Sequence, residues 1–397
     1  MNIILFDSVV RQALLPLTYT RPVADLRIGS LTIAEKWARQ TDGQVSFLTQ
    51  DYLEKKFPHR VAERNLFIDG SILPSVELLS FLDQIENNTA YFSEGEMVVA
   101  SFDRPNSERF IASRESVVER RLNLPNLPLF RITRPSDLFS LNDRAIREDF
   151  ELLTSGRTSA GLPPSNLLIG PADQLFIEAG VTAEGCSFNT SSGPIYIGRD
   201  AVILEGGNFR GPIAVNAGAV IKMGAKIYGP TTIGDHCKVG GEINNVVFQA
   251  NSNKGHDGFL GNAAIGEWCN IGADTNASNL KNDYSEVKVW SYPHGERRPS
   301  GLQFHGLIMG DHSKAGINTM FNTGTVVGVS ASIFGPGFQA DFIPSFTWGG
   351  KEDNQTYRLD KAIATVERVM LRRNVAFTDT DRAVLQHIFT ATQKYRP

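Results

Sequence analysis

Cysteine is scarce in this 397-residue chain: there are three, Cys186, Cys237 and Cys269. Three thiols at these spacings form neither a disulfide framework nor a CxxC metal knuckle, which sets aside disulfide-stapled folds and zinc ribbons. An excess of positive charge is also missing. The net charge of −4 leaves no overall basic footprint, so nucleic acid is not an expected partner. No apolar run reaches membrane-spanning length, and the opening MNIILFD meets Asp7 before a signal-peptide core forms. A cytoplasmic protein with no membrane partner is therefore expected. What remains is ordinary for a soluble globular chain, with 21% charged and 41% hydrophobic residues and length for two domains plus an appendage.

The organising signal is a six-residue beat. Ile197, Ile203, Phe209, Val215, Ile221, Ile227, Ile233 and Val239 follow one another at intervals of six, and the beat returns at Ile265 and Ile271, then from Met309 to Ile333. Four residues after most anchors stands a small residue, among them Ala201, Ala219, Ala225, Cys237 and Cys269. One large and one small inward residue per six fits neither an α-helix nor an alternating strand. It fits short strands joined by tight corners and stacked into a parallel β-helix. Cys237 and Cys269 occupy the small slot, so they read as small buried hydrophobes.

Before the repeat, Asn2 to Phe6, Val45 to Leu48, Leu66 to Ile68 and Met97 to Ser101 read as strands. A helix from Ser30 to about Gln40 and another from Pro74-Ser75 toward Glu86 alternate with them, which implies an α/β sheet with its ligand site beyond the carboxyl ends of the strands. Four regions follow: an α/β domain over 1–155, a turn-rich linker over 156–165, the solenoid over 166–343 and a helical tail over 344–397. Two stretches break the beat, Glu242 to Ala264 and the polar loop from Asn276 to Gly306. Solenoid insertions of this kind tend to emerge on one face and carry function.

The repeat resembles that of the hexapeptide acyltransferases, and this resemblance implies that the β-helix is left-handed. A closer likeness lies in Lys254-Gly-His256-Asp-Gly-Phe259-Leu-Gly261 followed by Ile265-Gly-Glu-Trp-Cys-Asn-Ile-Gly-Ala273. These residues resemble the acetyltransferase half of the bifunctional family that makes UDP-N-acetylglucosamine. The resemblance implies that His256 is the catalytic base and that Phe259 stands at a sugar-phosphate-binding position. It places Asn279 on a substrate-contacting Asn and Ala273 beside acetyl-CoA, and the segment around Lys314 borders the coenzyme A groove. Asn244 stands near a position where the family has a substrate-binding Lys, and Lys254 is expected to replace that charge. Lys281 or Lys288 supplies a nearby cation, and Asn245 is a further substrate contact. The residue types suit the chemistry. Neutral imidazole accepts a proton from an attacking amine near pH 7, and ammonium groups such as Lys254 and Lys281 clamp a phosphate.

The segment from Phe6 to Gly29 resembles a variant sugar nucleotidyltransferase domain found fused to such repeats. The Gly-rich loop usual after the first strand is replaced by Asp7-Ser8-Val9-Val10-Arg11. Arg21-Pro22 corresponds to a phosphate-contacting pair, with Arg11 and Arg27 as further cations. Phosphoryl transfer needs charge neutralisation, and Asp69 at the end of a strand is the candidate Mg²⁺ ligand, with Asn142 as a weaker nucleotide contact. The plain structural readings are a turn Asp before Gly70, a capping Asn and arginines paired to acids.

Together the resemblances imply a transferase that takes a nucleoside triphosphate, a sugar phosphate and acetyl-CoA, and that assembles as a homotrimer. Rival readings are a glucose 1-phosphate thymidylyltransferase-like enzyme with a non-catalytic solenoid, a catalytically dead nucleotide-sugar scaffold, and an O-acyltransferase.

Overall fold

The computed structural model describes residues 2–41, 43–113 and 120–397. Its contacts divide the chain into two compact units, and not at a single point. The first holds residues 1–14, 20–26 and 31–133. The second holds 15–19, 27–30 and 134–397.

The first unit is built on a mixed six-stranded sheet. Its strands are β1 (Asn2–Phe6), β2 (Gln44–Leu48), β3 (Arg64–Asp69), β4 (Thr89–Ser93), β5 (Glu96–Asp103) and β6 (Arg120–Asn123), in the order β2-β1-β3-β5-β4-β6. β1 lies parallel to β2 and β3, with Ile4 opposite Ser46 and Phe67. Ile3, Ile4, Leu5 and Phe6 are all buried, the two-faced burial of a central parallel strand. β5 runs antiparallel to both β3 and β4.

Helix α1 (Ile33–Gln40) starts two residues later than Ser30 suggests. Thr32 caps it, accepting from the backbone N–H of Glu35 while the Glu35 carboxylate accepts from that of Thr32, a capping box. The Ser30 hydroxyl is engaged elsewhere, donating to Asn216 Oδ1 at 3.0 Å. Helix α2 (Val76–Leu82) is capped by Ser75 as its sequence indicates.

The second unit is a three-sided parallel solenoid. In its regular stretch each strand pairs with the third strand along the chain, eighteen residues on: Ile195 with Ile213, Val202 with Val220, Phe209 with Ile227. Three hexads therefore make one coil. Anchors stack into continuous internal columns, one of which runs Ile197, Val215, Ile233, Phe248, Ile265, Met309, Val327, Ile343. Burying each such side chain contributes about 1.5–3 kcal/mol, so the column is the main stabilising feature of the coil stack. All three cysteines are free and buried, Cys237 and Cys269 in the small slot of the repeat.

The break after Glu242 is a tightening of the coil. Ile233 pairs with Phe248 and Val239 with Lys254, fifteen residues on in each case. The strands Glu242–Phe248 and Phe259–Ile265 each turn a corner without leaving extended pairing. The turning residues are Asn245 and Asn262, at φ of 57° and 45°, a left-handed conformation that Asn tolerates. The polar loop after Asn276 projects an antiparallel hairpin, Lys288–Ser291 with Glu296–Pro299.

Within the same unit, α3 (Asn142–Thr154) precedes the coils, and α4 (Leu359–Leu371) and α5 (Asp379–Ala391) follow them. The periodicity of Ile363, Val366 and Met370 gives α4 its buried face. Arg373, just beyond α4, donates to the His236 carbonyl and to Asn253 Oδ1, which fastens the tail to the coils.

Candidate functional sites

His256 stands exposed on a coil corner between Asn253–Lys254 and the strand that begins at Phe259. The next coil supports that corner, with the Asp274 N–H donating to the Asp257 carbonyl at 3.0 Å. A groove of about 500 Å³, lined by Phe259, Asp274, Asn276, Ala277, Ser278 and Phe338 among others, reaches this corner through Asp274; His256 is not among its walls. Asn276 Oδ1 accepts from the Phe259 N–H at 2.8 Å and holds the strand start in place.

Phe259 and Asn279 meet over Gly261. A Cβ at this glycine would come within 2.6 Å of both Phe259 Cζ and Asn279 Nδ2. Asn279 donates to Asn262 Oδ1 at 2.8 Å. The amide of Asn245 continues this ladder, accepting from Asn262 at 3.0 Å when turned to satisfy both of its polar atoms. The fold thus brings His256, Phe259, Asn279 and Asn245 to neighbouring coils. Asn262, the residue that links two of them, was not singled out in the sequence, because its importance rests on a corner conformation.

Lys254 is not a clamp on this surface. It occupies an inward column position opposite Val239 and is fully buried. Its ammonium donates to the carbonyls of His256 at 2.5 Å and Asp257 at 2.8 Å. Burial pushes the group down to about 8, against the opposing pull of Asp257 and Asp274. Lys314 behaves likewise: its ammonium donates to the carbonyls of His312 at 3.1 Å and Trp268 at 3.3 Å, and burial lowers its pKa. Lys281 is half-buried and bound to the Glu286 carbonyl, and Ala273 sits half-buried at the corner next to Asp274. Among the described residues that line the groove, none is a lysine or arginine.

In the first unit a pocket of about 320 Å³ opens at the carboxyl ends of β1 and β2, where an α/β sheet places its ligands. Phe6, Asp7, Leu48, Phe92 and Arg121 are among its walls. Asp7 is the residue the sequence reading passed over as a functional group. Its side chain is 2% exposed, accepts from Thr49 Oγ1 at 2.6 Å and the Val23 N–H at 2.8 Å, and pairs with Arg11 at 3.3 Å. Burial raises its pKa, Thr49, Arg11 and Val23 oppose the rise, and the charge of Asp69 adds to it. Arg11 also donates to Tyr52 Oη at 2.6 Å, and Arg21 pairs with Asp25 at 3.3 Å. Arg121 stacks over Phe92 at 4.5 Å, giving the pocket a cation that its sequence context did not advertise.

Asp69 is buried, accepts from Ser71 and pairs with Arg131 at 2.8 Å. Because Phe6 is in register with Asp69, the two carboxylates Asp7 and Asp69 end adjacent strands. Among the described residues no group of three or more His, Cys, Asp or Glu is arranged to hold a metal ion. Asp7 lines the pocket and the charge of Asp69 reaches it, while Asp69 itself is not among the pocket walls.

Arg27 and Asn142 belong to the second unit. Arg27 pairs with Asp235 at 2.5 Å, and its backbone N–H and carbonyl are both bonded by the Gln249 side chain. Asn142 is fully buried, accepts from the Gly29 N–H and donates to the Pro230 carbonyl, each at 2.8 Å. These bonds tie segment 27–30 to the solenoid, so the geometry gives both residues structural roles.

Residues 3–158 match the family model described as sugar nucleotidyl transferase. The chain is 32% identical over 117 residues to the bifunctional protein GlmU of Methanocaldococcus jannaschii, covering 30% of this chain and 28% of that protein. It is 34% identical over 93 residues to a bifunctional sugar-1-phosphate nucleotidylyltransferase/acetyltransferase of Sulfurisphaera tokodaii, covering 23% of each. The matches span about a quarter of the length of these relatives. A solved structure of the polysialic acid-specific acetyltransferase NeuO is matched over 53% of this chain and 94% of that one, at 14% identity and a TM-score of 0.29, too low to define a shared fold. The α/β unit followed by a parallel solenoid defines the class, a sugar nucleotidyl transferase-type segment joined to a hexapeptide-repeat segment. Within that class the likenesses support a GlmU-like fusion.

Proposed function

We propose that this protein is a bifunctional transferase that N-acetylates an amino-sugar phosphate, such as glucosamine 1-phosphate, with acetyl-CoA on the solenoid and couples the product to a nucleotide in the α/β unit. The observation that carries the reading is the placement of exposed His256 at a corner beside a groove lined by Phe259, with Asn279 against that ring. His256 takes the proton from the attacking amine as the thioester carbonyl is engaged. The amine nitrogen bonds the acetyl carbon to give an amide, the carbon–sulfur bond breaks, and the coenzyme leaves as a thiol with the proton that His256 returns. Backbone N–H groups of the coil corners are available to hold the oxyanion. Asn279 and Asn245 position the sugar, and the acetyl-CoA side includes Ala273.

In the α/β unit, Arg11, Arg21 and Arg121 supply positive charge for the triphosphate. Mg²⁺ would be held by Asp69 and Asp7 with phosphate oxygens, and would supply charge neutralisation for the departing pyrophosphate. Arg131 pairs with Asp69 and Arg11 with Asp7. A homotrimer in the cytoplasm is part of the same reading, since a groove without a lysine or arginine in its own walls suits completion by a neighbouring solenoid.

The test is thiol release from acetyl-CoA with glucosamine 1-phosphate, run beside His256→Ala. Release by the wild type and a loss of at least about a hundredfold in the variant support the assignment. Equal rates, or no release by a folded protein that binds coenzyme A, count against it. Resistance of the product to mild alkali separates an amide from an ester.

A further inference from the structure

A second cavity, of about 380 Å³, lies where the last coil meets α4, and it shares no lining residue with the groove beside His256. Its walls include two aromatic rings, Trp348 and Tyr357, with centroids 4.7 Å apart. Three cations, Arg358, Lys361 and Arg368, complete the lining together with Thr365, and among the described residues that line it none is a carboxylate.

The geometry is ordered by helical spacing. Lys361, Thr365 and Arg368 recur at i, i+4 and i+7 on α4, so they present one stripe to the cavity. Thr365 fixes the tyrosine, its hydroxyl lying 2.9 Å from Tyr357 Oη. Arg358 is held by a forked pair to Asp360 at 2.8 and 3.1 Å, which spends its charge locally. Lys361 and Arg368 form no ion pair within 4.0 Å among the described residues, and the Asp360 carboxylate pairs with Arg358. Of the four tryptophans, only Trp348 is exposed, at 37%.

Arg368 also donates to Thr365 Oγ1 at 3.4 Å, so an exposed indole lies beside two cations that carboxylates do not neutralise, in a cavity of ligand size that joins a flat apolar surface to an anion site. We infer that this cavity binds a nucleotide, its base against Trp348 and Tyr357 and its phosphates on Lys361 and Arg368. The pocket shares no lining residue with the groove on the solenoid or with the pocket of the α/β unit, and its evidence is independent of the function proposed above. Its ligand comes either from a free nucleotide or from the nucleotide end of coenzyme A, which share the ring and the phosphates.

The experiment is fluorescence titration of the full-length protein with ADP. Saturable quenching is expected, absent in Trp348→Phe and weakened at least about tenfold in the double variant Lys361→Glu/Arg368→Glu, whose positions are exposed on a helix. Adenosine, which lacks phosphate, should bind at least about tenfold more weakly than ADP. Coenzyme A binding more than about tenfold tighter than ADP, with the same dependence on Lys361 and Arg368, identifies the coenzyme as the source. Equal or tighter binding of ADP identifies a free nucleotide. No saturable quenching by either compound, or quenching unaffected by the double charge reversal, overturns the proposal.

Discussion

The ammonium of Lys254 lies 2.5 Å from the carbonyl oxygen of His256 and 2.8 Å from that of Asp257, buried inside the coil and bonded to the backbone of the corner that carries the exposed imidazole. Its substitution tests both the corner and the linkage between protonation and folding. Burial lowers this lysine to about 8 from its ordinary value of 10.5. Between those values the unfolded chain binds the proton and the folded chain releases it, so this group's contribution to stability rises with pH across that window. Lys254→Met removes the rise and keeps the column filled. Thermal unfolding at about pH 8 and about pH 10 should show the wild type gaining on the variant as pH increases. Parallel behaviour would show that Lys254 does not titrate in this range.

Gly261 leaves its Cβ position open to both Phe259 and Asn279. In Gly261→Ala the new methyl would meet both side chains at 2.6 Å and push them apart. The KM for the amino-sugar phosphate is expected to rise about tenfold, while the circular dichroism of the solenoid stays that of the wild type. An unchanged KM would place the sugar elsewhere on the coil.

Gly234 is more demanding. A Cβ there would overlap the Gln249 carbonyl oxygen at 1.2 Å, a backbone atom of the next coil. Gly234→Ala should cost about 3 kcal/mol or more in urea unfolding, because two coils must separate. A cost below about 0.5 kcal/mol, the range of neutral surface changes, would mean that the stacking is looser than described.

Arg11 and Asp7 form a buried pair, 5% and 2% exposed. Arg11→Met leaves the Asp7 carboxylate without its charge partner and should destabilise the first unit by about 3 kcal/mol, measured by denaturant titration. Loss of nucleotide affinity without loss of stability would instead make Arg11 a pure ligand contact.

Metal removal separates the two proposed chemistries. EDTA should abolish pyrophosphate release from the nucleoside triphosphate and leave thiol release unchanged, since only the phosphoryl step calls for Mg²⁺. Loss of both activities would contradict independent sites.

The solenoid was legible in the sequence because an inward residue every six positions reports directly on column packing. Ile197 to Val239 show this without interruption, and their columns pair at eighteen. Lys254 was misread for the complementary reason. The shortened coil puts it fifteen residues after Val239, where a six-residue count does not show that the slot points inward. The strands of the α/β unit were visible in their apolar runs. By contrast, the association of Arg27 to Ser30 with the solenoid depends on Asn216, Asp235 and Gln249, some two hundred residues away, and no local pattern announces it. Asp7 escaped notice because a carboxylate after a strand looks like any turn residue until Thr49 and Arg11 are seen around it.

The most direct measurement of the central claim is mass analysis of the products formed from glucosamine 1-phosphate, acetyl-CoA, UTP and Mg²⁺ by the wild type and by His256→Ala. The wild type should yield an acetylated UDP-amino sugar, and the variant no acetylated species at all. Acetylated product from the variant at the wild-type level, or none from a folded wild type, would contradict the account.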